Sequence, residues 1–496
     1  GREQDGAGAA GFHTNLLSWD CPESAPIGLK EGSYLPLGRS LGGHGPFRGL
    51  EAPLALALSL PLIVRGGNSR WRGSRSLACR LGCQMPDGSL PNQPIDRGLM
   101  TGPRITLLTA VIAIGALSCV RPSSPAPTPA APPPKIVGYL ASWGVRSKGT
   151  RIADLPGDQL THIIYAFARI GDDGRLALGD PCLDIGQCGP AGSAPPTGDG
   201  GNFAELRRLK ARYPKLRLLV AVGGWSGSGR FSDVALTPES RRTFVQSAVD
   251  LVIRRSPGLF DGIDIDWEYP VGGGLATNAA RPEDFENCTL LLQALRDELD
   301  AQGRRDGHQY VLSIATIAGA SAPRHYDLVK VSGLVDWFNV MSYDYHSGSK
   351  IAQFNAPLYS AAGDPTPGYT VDSTVRRYVA AGVPRAKIVV GLPFYGRVYG
   401  GVGPLNDGVF QPAPGPVPDD WRTGTDYRSI VRRNLDSLGF HRILHAEARV
   451  PFLYNAVTGT WVTYDDAESV AEKAAYARAN GLGGVMAWEI GGDDGT

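Results

Sequence analysis

Eight short runs of β-branched, aromatic and aliphatic residues recur through the last three-quarters of this chain. Their recurrence restricts the fold more than any other feature. The runs are IVGYLASW (136–143), THIIYAFA (161–168), LRLLVAVGGW (216–225), FDGIDIDWEYP (260–270), YVLSIATI (310–317), DWFNVMSYDYH (336–346), KIVVGLPFYG (387–396) and GGVMAWEI (483–490). Between most of them lie segments, such as 203–213, 238–255 and 282–303, whose apolar residues recur at three and four. A strand apolar at nearly every position must be covered on both faces, and amphipathic helices between the strands supply the cover, so a parallel sheet is predicted. Eight such units over about 360 residues predict an α/β fold, a (β/α)8 TIM barrel running from Lys135 to Thr496. A doubly wound open sheet is the alternative, but no GxGxxG follows the first run.

One interval breaks the rhythm. Eighty-six residues separate Gly396 from Gly483, and only 466–481 reads as a barrel helix, stopped by Asn480-Gly481. The remainder, about 397–465, is predicted to be a small α+β insertion domain between strands seven and eight, standing over the barrel's C-terminal face. After the eighth run only GGDDGT remains, so the helix that would cover the last strand is expected to be missing.

The N-terminal part reads differently. Residues 1–99 are rich in Gly, Arg, Pro and Ser and show no sustained period apart from the apolar patch Ala52–Val64, so they are read as a non-native or disordered extension ahead of a start at Met100. Residues 100–119 place Arg104 before 13 residues, Ile105–Leu117, that are too short to span a bilayer comfortably but suit a signal-peptide core. Ala116-Leu117-Ser118-Cys119 resembles a lipobox, which gives two alternatives: a lipid anchor at Cys119 or a plain secretory signal. Residues 120–134 form a proline-rich linker that favours extended backbone. The expected location is therefore secreted or on the outer surface of a bacterium.

Export permits a disulfide, and Cys182 with Cys188, in a Gly/Pro-rich loop, is the best candidate pair. No Cys/His spacing resembles a zinc site, so neither metal nor cofactor is expected. Forty-nine Lys and Arg against 48 Asp and Glu leave no electrostatic footprint for nucleic acid or an anionic membrane. A monomer is expected.

Within the fourth run, Asp264, Asp266 and Glu268 alternate with Ile263, Ile265 and Trp267. Residues two apart on a strand share a face, so the three acids are predicted to point together into the barrel while the apolar residues pack outward under helices. Glu268 falls last, at the C-terminal mouth where active sites of this fold lie. A solvated acidic strand or a calcium loop would explain the acids too. The bulky apolar partners and the absence of EF-hand glycine and oxygen spacing argue against both. Three acids about 5–7 Å apart in a low-dielectric site cannot all ionise cheaply, so at least one should hold a proton near neutral pH, as a general acid must.

DGIDIDWE matches the DxxDxDxE signature of glycoside hydrolase family 18 chitinases, and VGGW (222–225), MSYD (341–344), NAPLY (355–359), KIVVGLPFYGR (387–397) and WEIGGD (488–493) follow in that family's order. The resemblance implies substrate-assisted, retaining hydrolysis of β-1,4-linked N-acetylglucosamine in chitin or chito-oligosaccharides, through an oxazolinium ion and without an enzyme nucleophile. It implies Glu268 as the acid, Asp266 holding the acetamido group, and Asp264 sharing charge with Asp266. Tyr343 and Asp344 would contact the N-acetyl group. Trp488 would floor the subsite, with Tyr139 and Phe167 beside it. Trp225 and Tyr269 are candidate glycan contacts, Met341 packs beside the acids, and Arg397 contacts substrate or ties the insertion to the barrel. An endo-β-N-acetylglucosaminidase and a non-catalytic chitinase-like lectin are the rival readings.

Two departures from the family pattern stand out. Ala221 occupies a position where relatives usually carry a Ser whose hydroxyl bonds the inner aspartate, so the charge state of Asp264 is expected to be less firmly fixed. After Tyr343-Asp344 the chain reads YHSGSK where relatives often place a Trp, so stacking of the next sugar is expected to be weaker.

Overall fold

The computed structural model describes residues 133–188, 200–433, 435 and 437–495. The expectations for 1–99, for the signal-like segment with Cys119, and for all but the end of the 120–134 linker lie outside the described residues.

Chain order gives β1 (Lys135–Ala141), β2 (His162–Ile170), the short β3 (Leu176–Ala177), β4 (Arg217–Gly223), β5 (Gly262–Asp266), β6 (Val311–Ile317), β7 (Trp337–Met341) and β8 (Ile388–Pro393). Then come β9 (Arg397–Tyr399), β10 (His441–His445), β11 (Val450–Asn455), β12 (Thr460–Thr463) and β13 (Gly484–Trp488). Eight of these form one parallel sheet in the order β1-β13-β8-β7-β6-β5-β4-β2, closed by pairing of β1 with β2. This is the expected (β/α)8 barrel. β3 adds only an antiparallel edge to β2.

The strands form where β-branched and aliphatic residues can be buried on both faces. Outside, residues such as Ile163, Val220, Ile263, Ile265, Leu312 and Phe338 pack against the helices. Inside, Val137, Tyr139, Ile164, Leu219, Trp337, Val389 and Met486 fill the barrel. Helix Asp284–Asp306 carries the 3.6-residue stripe Cys288, Leu291, Leu292, Leu295 and Leu299 toward the strands. The segment expected as one helix over 238–255 is α-helical from Pro238 to Val249, with a Thr237–Ser240 capping box, and continues as a π-helix over Asp250–Arg254. Cys182 and Cys188 form a disulfide, while Cys288 is free and buried.

Between β8 and the last barrel strand, β9 to β12 make a separate antiparallel sheet in the order β10-β11-β12-β9, with helix Tyr427–Arg432 beside it. Its core is not drawn from this interval alone. Phe354, from the loop after β7, lies 5.6 Å from Trp461 and 6.0 Å from Phe452 between ring centres. Arg428 donates to the carbonyls of Lys148 and Gly491, which joins the same region to the C-terminal ends of β1 and β13. Helix Ala467–Ala479 returns the chain to the barrel behind an Asp466–Ser469 capping box. In that helix Lys473 is fully buried, with its ammonium on Asp465 Oδ1. Ser469 Oγ donates to the same oxygen at 2.7 Å, and Asp465 Oδ2 has no partner.

Candidate active site

The alternation in β5 sorts its side chains as the two-residue period requires. Trp267, just past the strand, stacks on Phe231 in the outer layer with ring centres 5.3 Å apart. Asp264, Asp266 and Glu268 point into the barrel, and Glu268, at the mouth, is still only 9% exposed. Opposite Asp266 in the register stands Gly223, at φ +109; a Cβ there would lie 2.2 Å from the carbonyl oxygen of Asp266, so the close approach of β4 requires glycine.

The other acid of the run, Asp261, is handled in the ordinary way. Lys210 Nζ and Arg217 Nη1 reach it at 2.7 and 2.9 Å, and Leu218 N donates at 2.8 Å. No lysine or arginine among the described residues pairs with Asp264, Asp266 or Glu268.

Asp264 is instead held by neutral donors. Tyr139 OH donates to Oδ2 at 2.7 Å, while Ser313 Oγ and Asn339 Nδ2 donate to Oδ1 at 2.6 and 3.1 Å. Burial raises its pKa, and these bonds oppose the rise. The gap left by Ala221 is thus answered from the other side: Ala221 and Ser313 flank Asp264 in register on β4 and β6. The expected weakness in the hold on Asp264 is therefore not seen.

Asp266 has no such support. Its Oδ1 is buried without a partner, and burial, followed by the charges of Glu268 and Asp264, pushes its pKa well above the usual carboxylate range. Glu268 is pushed up to about 7, chiefly by burial and further by Asp344, against a lowering hydrogen bond from Tyr269. A carboxyl with this pKa is protonated in about half of molecules at pH 7 and can act as donor or acceptor.

Above the acids, Asp344 sits at φ +56 and accepts from Arg397 Nε at 2.8 Å, so the β9 arginine does join the interposed sheet to the loop after β7. Tyr343 lies edge-on to Tyr395 at 6.1 Å. Burial first, then Tyr395, Asp266, Asp344 and Glu268, keep its phenol neutral. Trp488 ends β13, edge-on to Tyr139 and stacked on Phe167, each at 5.6 Å. Phe167 in turn stacks on Trp143 at 6.1 Å, giving a row of rings from the acids to the rim, where Trp143 is 45% exposed. Met341 packs in the apolar lining below Tyr343. Trp225 is 50% exposed. Non-proline cis peptides at Ala166–Phe167, Glu268–Tyr269 and Trp488–Glu489 surround the site.

The structure therefore brings the expected residues together at the C-terminal end of the barrel, with Trp225 joined through its backbone, since Asn278 Nδ2 donates to the carbonyls of Trp225 and Glu268 at 3.4 and 3.1 Å. Sequence reasoning missed Ser313, Asn339 and Trp143. Trp143 ends a quoted strand run and could have been found there. The other two are found only through inter-strand register. Among the described residues no group of three or more His, Cys, Asp or Glu is arranged to hold a metal ion.

Residues 135–493 match the family described as glycosyl hydrolases family 18. Chitinase A1 of Niallia circulans is 39% identical over 419 residues, covering 76% of this chain and 59% of that protein, so the chain spans less than two-thirds of its relative's length. A chitinase from Bacillus thuringiensis superposes with a TM-score of 0.67 at 37% identity, covering 73% of this chain and 66% of the other. A family 18 N-acetylglucosaminidase from Paenibacillus barengoltzii superposes at 0.62 and 33% identity, covering 73% of this chain and 96% of the other.

Proposed function

The chain belongs to glycosyl hydrolase family 18, and on that footing we propose that it is a chitinase that hydrolyses β-1,4-linked N-acetylglucosamine chains with assistance from the substrate's own acetamido group. The observation that carries the reading is the β5 ladder: a buried carboxyl of raised pKa at the mouth, an acid below it with one oxygen unpartnered, and a third acid held by donors beneath. In the first step Glu268 gives its proton to the glycosidic oxygen as the bond to the anomeric carbon breaks. The acetamido oxygen attacks that carbon to form the oxazolinium ion. Asp266 accepts from the acetamido N–H with the oxygen left free, which orients the attack, and the negative charge it shares with Asp264 balances the developing positive charge. Glu268, now a carboxylate, takes a proton from the water that opens the ion, so configuration is retained. Tyr343 lies close enough to Asp266 to offer a second donor to the acetamido group, and Trp488 provides an apolar plate beneath the ring.

Mass analysis of products from chitohexaose tests this. Release of chitobiose and other short oligomers is the expected result. Monomer alone would favour an N-acetylglucosaminidase, cleavage confined to protein-linked glycans an endo-β-N-acetylglucosaminidase, and binding without cleavage a lectin; the chitinase reading would then be withdrawn. The Cys182–Cys188 disulfide supports the location outside the cytoplasm expected from residues 100–134.

The pH profile carries its own prediction. Glu268 works in its protonated form, and its pKa of about 7 lies above its ordinary 4.5. kcat/KM should therefore hold below that value and fall about tenfold per unit above it. An alkaline limb beyond pH 9 would contradict Glu268 as the donor.

A further inference from the structure

β5 ends at Asp266, which lies opposite Gly223 and is the last of its residues in register with a neighbouring strand. Glu268 stands two residues further on, so the sheet does not hold the main chain that carries the acid. Side chains from two loops hold it instead. The Glu268 N–H donates to Ser228 Oγ at 2.9 Å, and that fully buried hydroxyl donates to the carbonyl of Gly224 at 2.8 Å. The Glu268 carbonyl accepts from Asn278 Nδ2 at 3.1 Å.

The same amide nitrogen reaches the carbonyl of Trp225 at 3.4 Å. Both acceptors are carbonyl oxygens, so only the NH2 end of the amide can meet them. The loop that delivers it, 271–281, is fastened at several points. Gly274 runs so close that a Cβ there would lie 2.0 Å from the carbonyl oxygen of Glu268. Ala279 N donates to the carbonyl of Gly229 at 3.2 Å, and Arg281 reaches Ser232 Oγ at 2.6 Å and Asp233 Oδ1 at 2.7 Å. Asn278 is thus presented by a loop anchored on the segment after β4, the segment that also carries Trp225 and Ser228.

The geometry points to Asn278 as a positioning residue for the hydrolysis: by fixing the Glu268 carbonyl against that of Trp225, it sets where the acid's carboxyl stands relative to the glycosidic oxygen. Ser228 alone would leave the main chain of the acid free to turn about a single bond, and the amide supplies the second point. The proton of Glu268 passes to the glycosidic oxygen as that oxygen leaves the anomeric carbon, and it can pass only across hydrogen-bond distance. A misplacement of about 1 Å costs on the order of 10²-fold in rate. Asn278 bonds main-chain carbonyls and acts through Glu268.

This inference rests on the chitinase reading, and wild-type turnover is the control that separates the two. A wild-type enzyme that cleaved neither chitotetraose nor dinitrophenyl chitobioside would refute the reading itself. The two substrates differ in their need for a proton: the sugar oxygen of chitotetraose must be protonated as it leaves, whereas dinitrophenolate departs as the anion. With turnover established, Asn278→Ala should lower kcat/KM for chitotetraose by roughly 10- to 100-fold, mostly in kcat, and for the dinitrophenyl glycoside by less than about threefold. Asn278→Leu, of similar volume and without a donor, should show the same split, which assigns the effect to the N–H and not to the space it fills. Equal losses on both substrates, a loss confined to KM, or no loss would overturn the proposal while leaving the chitinase reading in place. Asn278 is half-buried on a loop outside the strands and helices. A variant that failed to fold would overturn the proposal as well, by making the residue a support of the fold and not of the acid.

Discussion

Glu268→Gln should lower turnover of a soluble chito-oligosaccharide by at least ~10²-fold while leaving the folded protein able to bind the same oligomer. The amide keeps the shape of the side chain and remains able to bond Tyr269, but it cannot deliver a proton to a leaving oxygen. No other acid can substitute by position. Asp266 lies one step deeper on the strand, and Asp344 is engaged by Arg397. The neutral amide also removes a charge that raises the pKa of Asp266, so the fold should gain nothing but relief from the change. Single-turnover kinetics beside calorimetric titration with chitotetraose measure both halves of the expectation. Rates near wild type would remove Glu268 from the donor role, and lost binding would show that the variant disturbs more than proton transfer.

The second large effect concerns stability rather than rate. Lys473→Ala should destabilise the fold by roughly 3–5 kcal/mol, because it strands a buried carboxylate without its counter-ion. Asp465 would keep only the Ser469 hydroxyl on one oxygen, and its other oxygen already lacks a partner. Lys473 is entirely enclosed, so water cannot readily take the ammonium's place. Urea denaturation followed by tryptophan fluorescence measures the loss. Replacing both members together, Lys473→Met with Asp465→Leu, should recover most of it, since an apolar pair of similar volume avoids the desolvation penalty altogether. A Lys473→Ala protein within about 1 kcal/mol of wild type would mean that the pair is already neutralised by proton transfer.

The barrel and its acid ladder are local patterns, and local patterns can be read from a sequence. Period two placed Asp264, Asp266 and Glu268 on one face because the spacing of a strand's side chains does not depend on what surrounds it. The support beneath the ladder is not local. Ser313 stands 49 residues from Asp264 and Asn339 stands 75, and which residue faces which depends on strand register around a closed sheet. For that reason Ala221 looked like a loss when read alone. The interposed sheet shows the same limit: its interval was visible as an interruption, but Phe354, which sits among its aromatic residues, comes from a loop that precedes β8 by more than thirty residues. Arg397 had two roles open in the sequence, and its bond to Asp344 shows the one that ties the interposed sheet to the barrel.

The same strand treats its acids in opposite ways at its two ends. Asp261, at the foot, is surrounded by cations that dissolved ions can partly replace, whereas the three acids above it are enclosed with neutral donors and with each other. Mobile ions screen charges across a layer of about 8 Å of solvent at physiological strength, and they do not enter such an interior. Charge there can be adjusted only by hydrogen ions passing between carboxyls and whatever sugar lies on them. Acidity, and not salinity, is the environmental variable to which this strand responds.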